Sequence, residues 1–172
     1  VGQKREEAGA LDRLGEFALL LLAHRGDAGR HDLAALGNVA LQQTHVGGAC
    51  VNAESELEAV GMAWGAAATG TRAATGSTGQ GLSLMQESIA EAAMAHLPLV
   101  IINMARAQGD YFQATRGGGH GDYRTPVLAP MDVPEAVHLM QYAFYLADKW
   151  RNPVLFFGDY YTAHTYQSVD IH

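Results

Sequence analysis

The sequence predicts an α/β protein with a doubly wound, mostly parallel sheet and helices on both faces. From residue 49 onward, short apolar runs alternate with longer segments of helical periodicity, which is typical of repeated strand–helix units. The run Leu99-Val-Ile-Ile-Asn-Met is apolar almost throughout, as expected of a central strand covered on both sides. With 172 residues, 48% of them hydrophobic, the chain is long enough for one such core.

The predicted elements follow one another in a regular order. A helix begins near Ser55, and either Asn52 or Ser55 can cap it. Its apolar positions recur every three or four residues and comprise Leu57, Val60, Gly61, Trp64 and Ala68. After this helix we expect strands at 72–75, 99–104, 127–128 and 154–157, and helices at 82–95 and 133–149. A tight turn at 76–81 and a polar, glycine-rich stretch at 108–124 complete the order.

The first 48 residues have a different pattern. Leu11, Leu14, Phe17 and Leu21 predict one amphipathic helix, but residues 25–43 show no clean period of either kind. We therefore divide the chain into an atypical segment, 1–48, and an α/β domain, 49–172.

Composition excludes several classes of partner and of cofactor. The formal net charge of −7 disfavours nucleic acid and anionic membrane surfaces as partners. Cys50 is the only cysteine, so the chain cannot supply the four thiolates that usually hold an iron–sulfur cluster. The apolar run near Phe17 is too short to cross a bilayer, and we expect a soluble, cytoplasmic protein with no membrane partner.

Ligands of open α/β sheets bind beyond the carboxyl ends of the strands, which makes 52–56, 75–81 and 106–124 the candidate segments. Glu54, Glu56 and Glu58 stand at the start of the first helix, where helical geometry does not single out one of them. Three solvated acids near a helix amino terminus are the simpler interpretation.

The other two segments are individually ambiguous. The turn Gly76-Ser-Thr-Gly-Gln-Gly permits close approach of a ligand, but it matches neither a phosphate-binding loop nor a dinucleotide fingerprint. His120 and Asp122 are too few for a metal site, and we expect none. Arg106 follows a buried strand and can pair with a carboxylate, whereas we favour ordinary surface positions for Arg116 and Arg124.

Taken together, three segments resemble the alpha subunit of 2-oxoacid:ferredoxin oxidoreductases, in the pyrimidine-binding domain of the pyruvate flavodoxin/ferredoxin oxidoreductase type. They are Gly76-Ser-Thr-Gly-Gln-Gly-Leu-Ser-Leu-Met-Gln-Glu, the stretch from Gly109-Asp-Tyr-Phe to Gly121-Asp-Tyr-Arg, and Leu146-Ala-Asp-Lys-Trp-Arg-Asn-Pro-Val. The resemblance covers about residues 49–172 and implies a thiamine-diphosphate-binding fold of the pyrimidine-binding type.

The resemblance assigns roles to individual residues. Glu56 matches the family glutamate that bonds the pyrimidine ring and so promotes removal of the thiazolium C2 proton. By the same resemblance Glu56, Thr75, Ser77 and Gly79 would bind the cofactor. Arg106 would face the substrate carboxylate, and the substrate side of the site would include His120.

The resemblance also implies partners and a reaction. The reaction is oxidative decarboxylation of a 2-oxoacid to an acyl-coenzyme A. A beta subunit would bind the diphosphate and Mg, and iron–sulfur clusters would lie on another subunit or on ferredoxin. We therefore expect a hetero-oligomer whose isolated subunit is inactive.

One departure from the family pattern keeps other interpretations open. Residues 1–48 contain no proline and nothing like the Tyr-Pro-Ile-Thr-Pro loop of the family. A non-catalytic structural or interaction domain of the same fold is therefore one alternative, and the pyrimidine domain of another thiamine-diphosphate enzyme is a second. The sequence does not choose among the 2-oxoacids.

Overall fold

A computed structural model describes residues 19–23 and 48–169. Its sheet has six strands, all parallel, in the order β2-β1-β3-β4-β6-β5. The strands are β1 Leu19–Ala23, β2 Ala49–Ala53, β3 Ala73–Thr78, β4 Leu99–Ala105, β5 Val127–Leu128 and β6 Val154–Asp159. Because every pair is parallel, the carboxyl ends of these strands lie along one edge of the sheet.

Five helices connect or follow the strands in the described part of the chain. They are α1 Glu56–Ala68, α2 Gln80–Met94, α3 Gly109–Arg116, α4 Val133–Trp150 and α5 Tyr160–His164. No helix in 48–169 is long and apolar enough to cross a membrane.

The central strand β4 shows how the sheet is buried on both sides. Leu99 and Ile101 belong to a core cluster with residues of α1 and α2, whereas Val100 and Ile102 pack with residues of α4 on the opposite face. Successive side chains of a strand point to opposite faces, so an uninterrupted apolar run is what two covered faces require. The prediction of a doubly wound sheet with helices on both faces is confirmed.

Helix α1 begins as predicted, but its buried face differs from the predicted stripe. Ser55 is the N-cap and accepts a hydrogen bond from the Glu58 amide at 3.3 Å. Leu57 is 55% exposed. Of the predicted positions only Val60 is buried, and the other buried positions are Glu56, Ala59, Ala63 and Ala67. Small alanines let the helix lie close to the sheet and to α2, so the stripe is set by fit rather than by the largest apolar residues.

One prediction of secondary structure is wrong, and helix α3 was not predicted. Leu21, assigned to an amphipathic helix, lies in β1 and pairs with Val51 of β2 and Thr75 of β3. Leu21 belongs to an unbroken leucine run, which suits a strand that lies between two others. The other residues of the predicted helix lie outside the described residues. The polar, glycine-rich stretch 108–124, to which no helix was assigned, contains α3.

The proposed division at residue 48 stays a prediction. Strand β1 comes from the segment before that division, and it lies between two strands from the segment after it.

Candidate active site

Glu56 is a buried carboxylate at the head of α1, next to the carboxyl end of β3. Its side chain is 6% exposed, and its Oε1 accepts a hydrogen bond from the Ser77 hydroxyl at 3.1 Å. The two residues are 21 positions apart in sequence and are brought together because α1 crosses from β2 to β3 over the sheet. A buried acid in a hydrogen-bonded orientation can accept a hydrogen bond from an N–H group of a ligand or exchange a proton with a ligand nitrogen.

The structure distinguishes Glu56 from the two neighbouring acids. Glu58 is exposed, and its Oε2 accepts a hydrogen bond from the Glu54 amide at 3.1 Å, while its own amide donates to Ser55. This reciprocal pair resembles a capping box and accounts for Glu58 as a stabiliser of the helix start. Glu54 is exposed as well. Of the three acids, only Glu56 points into the domain.

Gly81, in the first turn of α2, leaves space for this arrangement. A Cβ at this position would lie 1.9 Å from Ser77 Oγ and 2.8 Å from Glu56 Cγ. Both distances are shorter than any real contact, so a side chain here would displace the serine and the glutamate. The glycine therefore brings the helix backbone directly against the two polar groups.

Arg106 and Gly79 approach each other at the same edge of the sheet. A Cβ on Gly79 would lie 3.2 Å from Arg106 Cδ, and the glycine has a φ of 47°, which favours a residue without a side chain. The Arg106 amide donates to Asp110 Oδ2 at 3.0 Å, and Asp110 is only 7% exposed. This bond fixes the turn from β4 into α3, and the aliphatic part of the Arg106 side chain lies beside Gly79 at the start of α2.

Thr75 and Asn103 lie on the α1 and α2 side of the sheet, beside and beneath Ser77. Both are 0% exposed, and neither the Thr75 hydroxyl nor either amide atom of Asn103 has a hydrogen-bond partner among the described residues. A buried polar group without a partner costs about 1–3 kcal/mol, and such groups are concentrated at functional sites. The two residues extend the polar character of the site into the sheet.

His120 lies apart from these residues. Its amide donates to Glu87 Oε2 at 2.9 Å, and its side chain is exposed. Glu87 stands seven residues after Gln80 in α2, a separation of about 10 Å along an α-helix. The structure therefore brings together Glu56, Ser77, Gly79 and Arg106, with Thr75 beneath them. It places His120 away from this group, beside a later turn of α2.

The remaining candidates have surface contacts. The Arg116 guanidinium lies 4.5 Å from the centre of the Phe112 ring, and Arg124 Nη1 donates to the Tyr123 carbonyl at 2.6 Å. Both arginines are exposed. In residues 48–169 no group of three or more His, Cys, Asp or Glu side chains is arranged to hold a metal ion.

Sequence reasoning gave no role to Gly81, Asp110 or Asn103. Asp110 stands four residues after Arg106 and lies in the first turn of α3, so its role can be seen only when that helix is known. Gly81 was part of the quoted glycine turn, but only contacts across the fold show that it, rather than another glycine, faces the glutamate.

Comparison with known proteins agrees with this fold. Residues 32–172 match the family model described as pyruvate flavodoxin/ferredoxin oxidoreductase, thiamine-diphosphate-binding. The chain belongs to this family, so the class indicated by the three sequence segments is confirmed. The match begins 17 residues before the position at which we divided the chain.

The relatives include two archaeal subunits. The chain is 50% identical to ketoisovalerate oxidoreductase subunit VorB of Methanothermobacter thermautotrophicus, over 66% of this chain and 35% of the relative. It is 38% identical to 2-oxoglutarate synthase subunit KorA of the same organism, over 77% of this chain and 38% of the relative. The chain thus spans about a third of the length of these relatives.

A solved structure has the same fold. It is a 2-oxoglutarate:ferredoxin oxidoreductase from Magnetococcus marinus with 2-oxoglutarate, coenzyme A and succinyl-CoA bound. It matches with a TM-score of 0.75 and 28% identity, over 88% of this chain and 27% of that one.

Proposed function

We propose that this chain binds the aminopyrimidine half of thiamine diphosphate as part of a 2-oxoacid:ferredoxin oxidoreductase. The observation that carries the proposal is Glu56, a buried carboxylate held by Ser77 at the carboxyl edge of a parallel sheet. Family membership adds the identity of the ligand, because the matched model is that of a thiamine-diphosphate-binding domain.

The residues present fit the cofactor's pyrimidine ring. Glu56 offers an oriented carboxyl group for a ring nitrogen, and Ser77 holds that group in place. The missing side chains of Gly79 and Gly81 let Arg106, Ser77 and Glu56 lie directly against the start of α2, where they would face the ring. Thr75 would support the site from within the sheet.

The chemistry divides between the cofactor and this chain. When bound, thiamine diphosphate supplies a carbon nucleophile for the keto carbon of a 2-oxoacid. Glu56 would hold or release a proton at the ring nitrogen, and its buried position excludes water from that exchange. Arg106, whose side chain lies beside Gly79 at the start of α2, would pair with the substrate carboxylate.

The reaction we propose is oxidative decarboxylation of a 2-oxoacid to an acyl-coenzyme A. We rank ketoisovalerate first as the substrate, because the VorB relative is 50% identical and the KorA relative 38%. An activity panel on the assembled enzyme with ketoisovalerate, 2-oxoglutarate and pyruvate tests this ranking. A higher kcat/KM for 2-oxoglutarate than for ketoisovalerate would reverse it.

The proposed assembly is a hetero-oligomer in the cytoplasm. A beta subunit would bind the diphosphate and Mg, and iron–sulfur clusters on another subunit or on ferredoxin would take the electrons. The support is that VorB and KorA are themselves named as subunits, and that Cys50 is the chain's only cysteine. His120 remains a predicted substrate contact that would act only if the glycine run moves toward Arg106.

Glu56→Gln tests the proposal because the amide keeps the size of the side chain but not its acidity. In the complex with a diphosphate-binding subunit, we expect this variant to lose exchange of the cofactor C2 proton, by about a hundredfold or more. Proton nuclear magnetic resonance in deuterium oxide measures that exchange.

Glu58→Gln is the matched control. Glu58 is an exposed acid on the same helix, and a glutamine can still accept the Glu54 hydrogen bond, so we expect normal exchange. Full exchange in Glu56→Gln would refute the role of Glu56. Absence of cofactor-dependent heat when wild-type complex is titrated with thiamine diphosphate would favour the non-catalytic alternative.

A further inference from the structure

Asn103 is the least satisfied polar side chain near the site, and it lies directly beside Ser77. The register of β3 and β4 pairs Ser77 with Asn103, and that of β4 and β6 pairs Asn103 with Phe157. Asn103 shares the sheet face of Leu99 and Ile101, which is also the face toward which Ser77 contacts Glu56. On one side, in β3, the neighbour of Asn103 is the polar Ser77. On the other side, in β6, its neighbour is the apolar Phe157.

The state of the Asn103 amide is unusual for a buried residue. The side chain is 0% exposed, and neither its nitrogen nor its oxygen has a hydrogen-bond partner among the described residues. Leaving a buried amide unpaired costs stability, and an apolar residue of similar size would avoid that cost. Proteins retain such costs mainly where function needs the group.

The hydrogen bonds of Ser77 indicate what the amide does. A hydroxyl has one proton and two lone pairs, and the Ser77 proton is directed at Glu56 Oε1. A donor placed on a lone pair restricts rotation of the hydroxyl and strengthens the bond that it donates. The Asn103 nitrogen has protons to give and stands at the adjacent register position.

We infer that Asn103 is a positioning residue for Glu56: in the loaded site its amide donates to Ser77 Oγ and keeps the Ser77 proton on the glutamate. This inference rests on the proposed function of Glu56. The amide reaches Ser77 by rotating within the sheet face, and the bond completes a chain from Asn103 through Ser77 to the carboxylate.

The test compares stability with cofactor chemistry in Asn103→Leu. We expect the melting temperature of the unloaded chain to stay equal or rise, because an unpaired amide is replaced by an apolar group. In the complex with partner subunit and thiamine diphosphate, we expect C2 proton exchange to fall about tenfold, the effect of one hydrogen bond. A lower melting temperature with unchanged exchange would show a purely structural role and overturn the inference.

A double-mutant cycle with Ser77→Ala tests whether Asn103 acts on Glu56 through Ser77. If Asn103 acts through Ser77, then Asn103→Leu produces no further loss of exchange once the serine is absent. Equal losses in both backgrounds would overturn the inference. If leucine prevents folding, Asn103→Thr is the second variant, because the threonine hydroxyl keeps a hydrogen-bond donor at this position. We expect Asn103→Thr to retain most of the C2 exchange. A tenfold loss in that variant would contradict the role of Asn103.

Trp64→Phe is the control for removal of a buried unpaired donor elsewhere. The Trp64 indole nitrogen also lacks a partner among the described residues, and it lies two turns along α1 from Glu56. We expect normal exchange in this variant. If wild-type complex shows no exchange at all, the proposed function fails; if wild type exchanges and Asn103→Leu equals it, only the present inference fails.

Discussion

Two glycine-rich segments look alike in sequence and differ in structure. One forms the start of α2, and the other, 117–121, packs against the side of the same helix. At its start, Gly79 and Gly81 lie against Arg106, Ser77 and Glu56. Along its body, the run 117–121 lies against Gln86, Ala90 and Met94. The glycines of the first segment thus face polar side chains, and those of the second pack against a helix.

The second segment is held by hydrogen bonds as well as by packing. The amides of Gly118 and Gly119 both donate to the Tyr123 hydroxyl, at 3.2 and 3.1 Å, and the His120 amide donates to Glu87. A Cβ on Gly119 would lie 2.5 Å from the Gln86 carbonyl oxygen. Similar glycine runs can therefore admit polar side chains or allow close packing on a helix, and the atoms that face the missing side chain distinguish the two cases.

Gly81→Ala should have the largest effect. Its methyl group would collide with Ser77 Oγ and with Glu56 Cγ, so we expect a loss of about 3 kcal/mol in the free energy of unfolding. We also expect loss of cofactor C2 exchange in the protein that still folds, since the two polar groups must move. Urea unfolding and exchange measured per folded molecule provide the test; normal exchange would remove Gly81 from the site.

Gly119→Ala should destabilise the chain without affecting cofactor chemistry. The new methyl group would lie 2.5 Å from the Gln86 backbone oxygen and 2.6 Å from Ala90 Cβ, for which we expect a cost of about 2 kcal/mol. C2 exchange per folded molecule should equal that of wild type. A raised KM for the 2-oxoacid in the assembled enzyme would break the comparison, because it would place the His120 segment at the substrate.

Gly61→Ala should have the smallest effect, of opposite sign. Gly61 is exposed within α1, and a methyl group at this position would meet no atom within 4 Å. Alanine reduces the entropy of the unfolded chain, so we expect a gain of about 0.5–1 kcal/mol with normal cofactor chemistry. Thermal unfolding measures the gain in stability. A loss of stability would show that open space around a glycine is not enough for alanine to be tolerated there.

Much of the fold could be predicted because its signals are local. Ser55 is followed by a helical period, and Pro153 separates α4 from the apolar run of β6. Strand β1 was missed because a leucine run fits a buried strand and a buried helix equally well. Helix α3 was missed because glycine and polar residues around 109–124 resemble a loop.

The site was predictable only through the family resemblance. Helical periodicity left Glu54, Glu56 and Glu58 equivalent, and the family pattern selected Glu56. The structure selects the same residue on independent grounds, since it is the buried one and is bonded to Ser77. Its role toward the cofactor stays a prediction.

The sequence by itself determined the class of fold, most of the helices and strands, and the family. The fold class and its elements depend on periodicity and capping, which act between residues a few positions apart, whereas the family follows from the resemblance of three segments. Tertiary structure decided which acid is buried, which glycines face it, and that Asn103 stands beside Ser77. Those facts depend on contacts between strands and helices distant in sequence, and no local pattern of residues encodes such contacts.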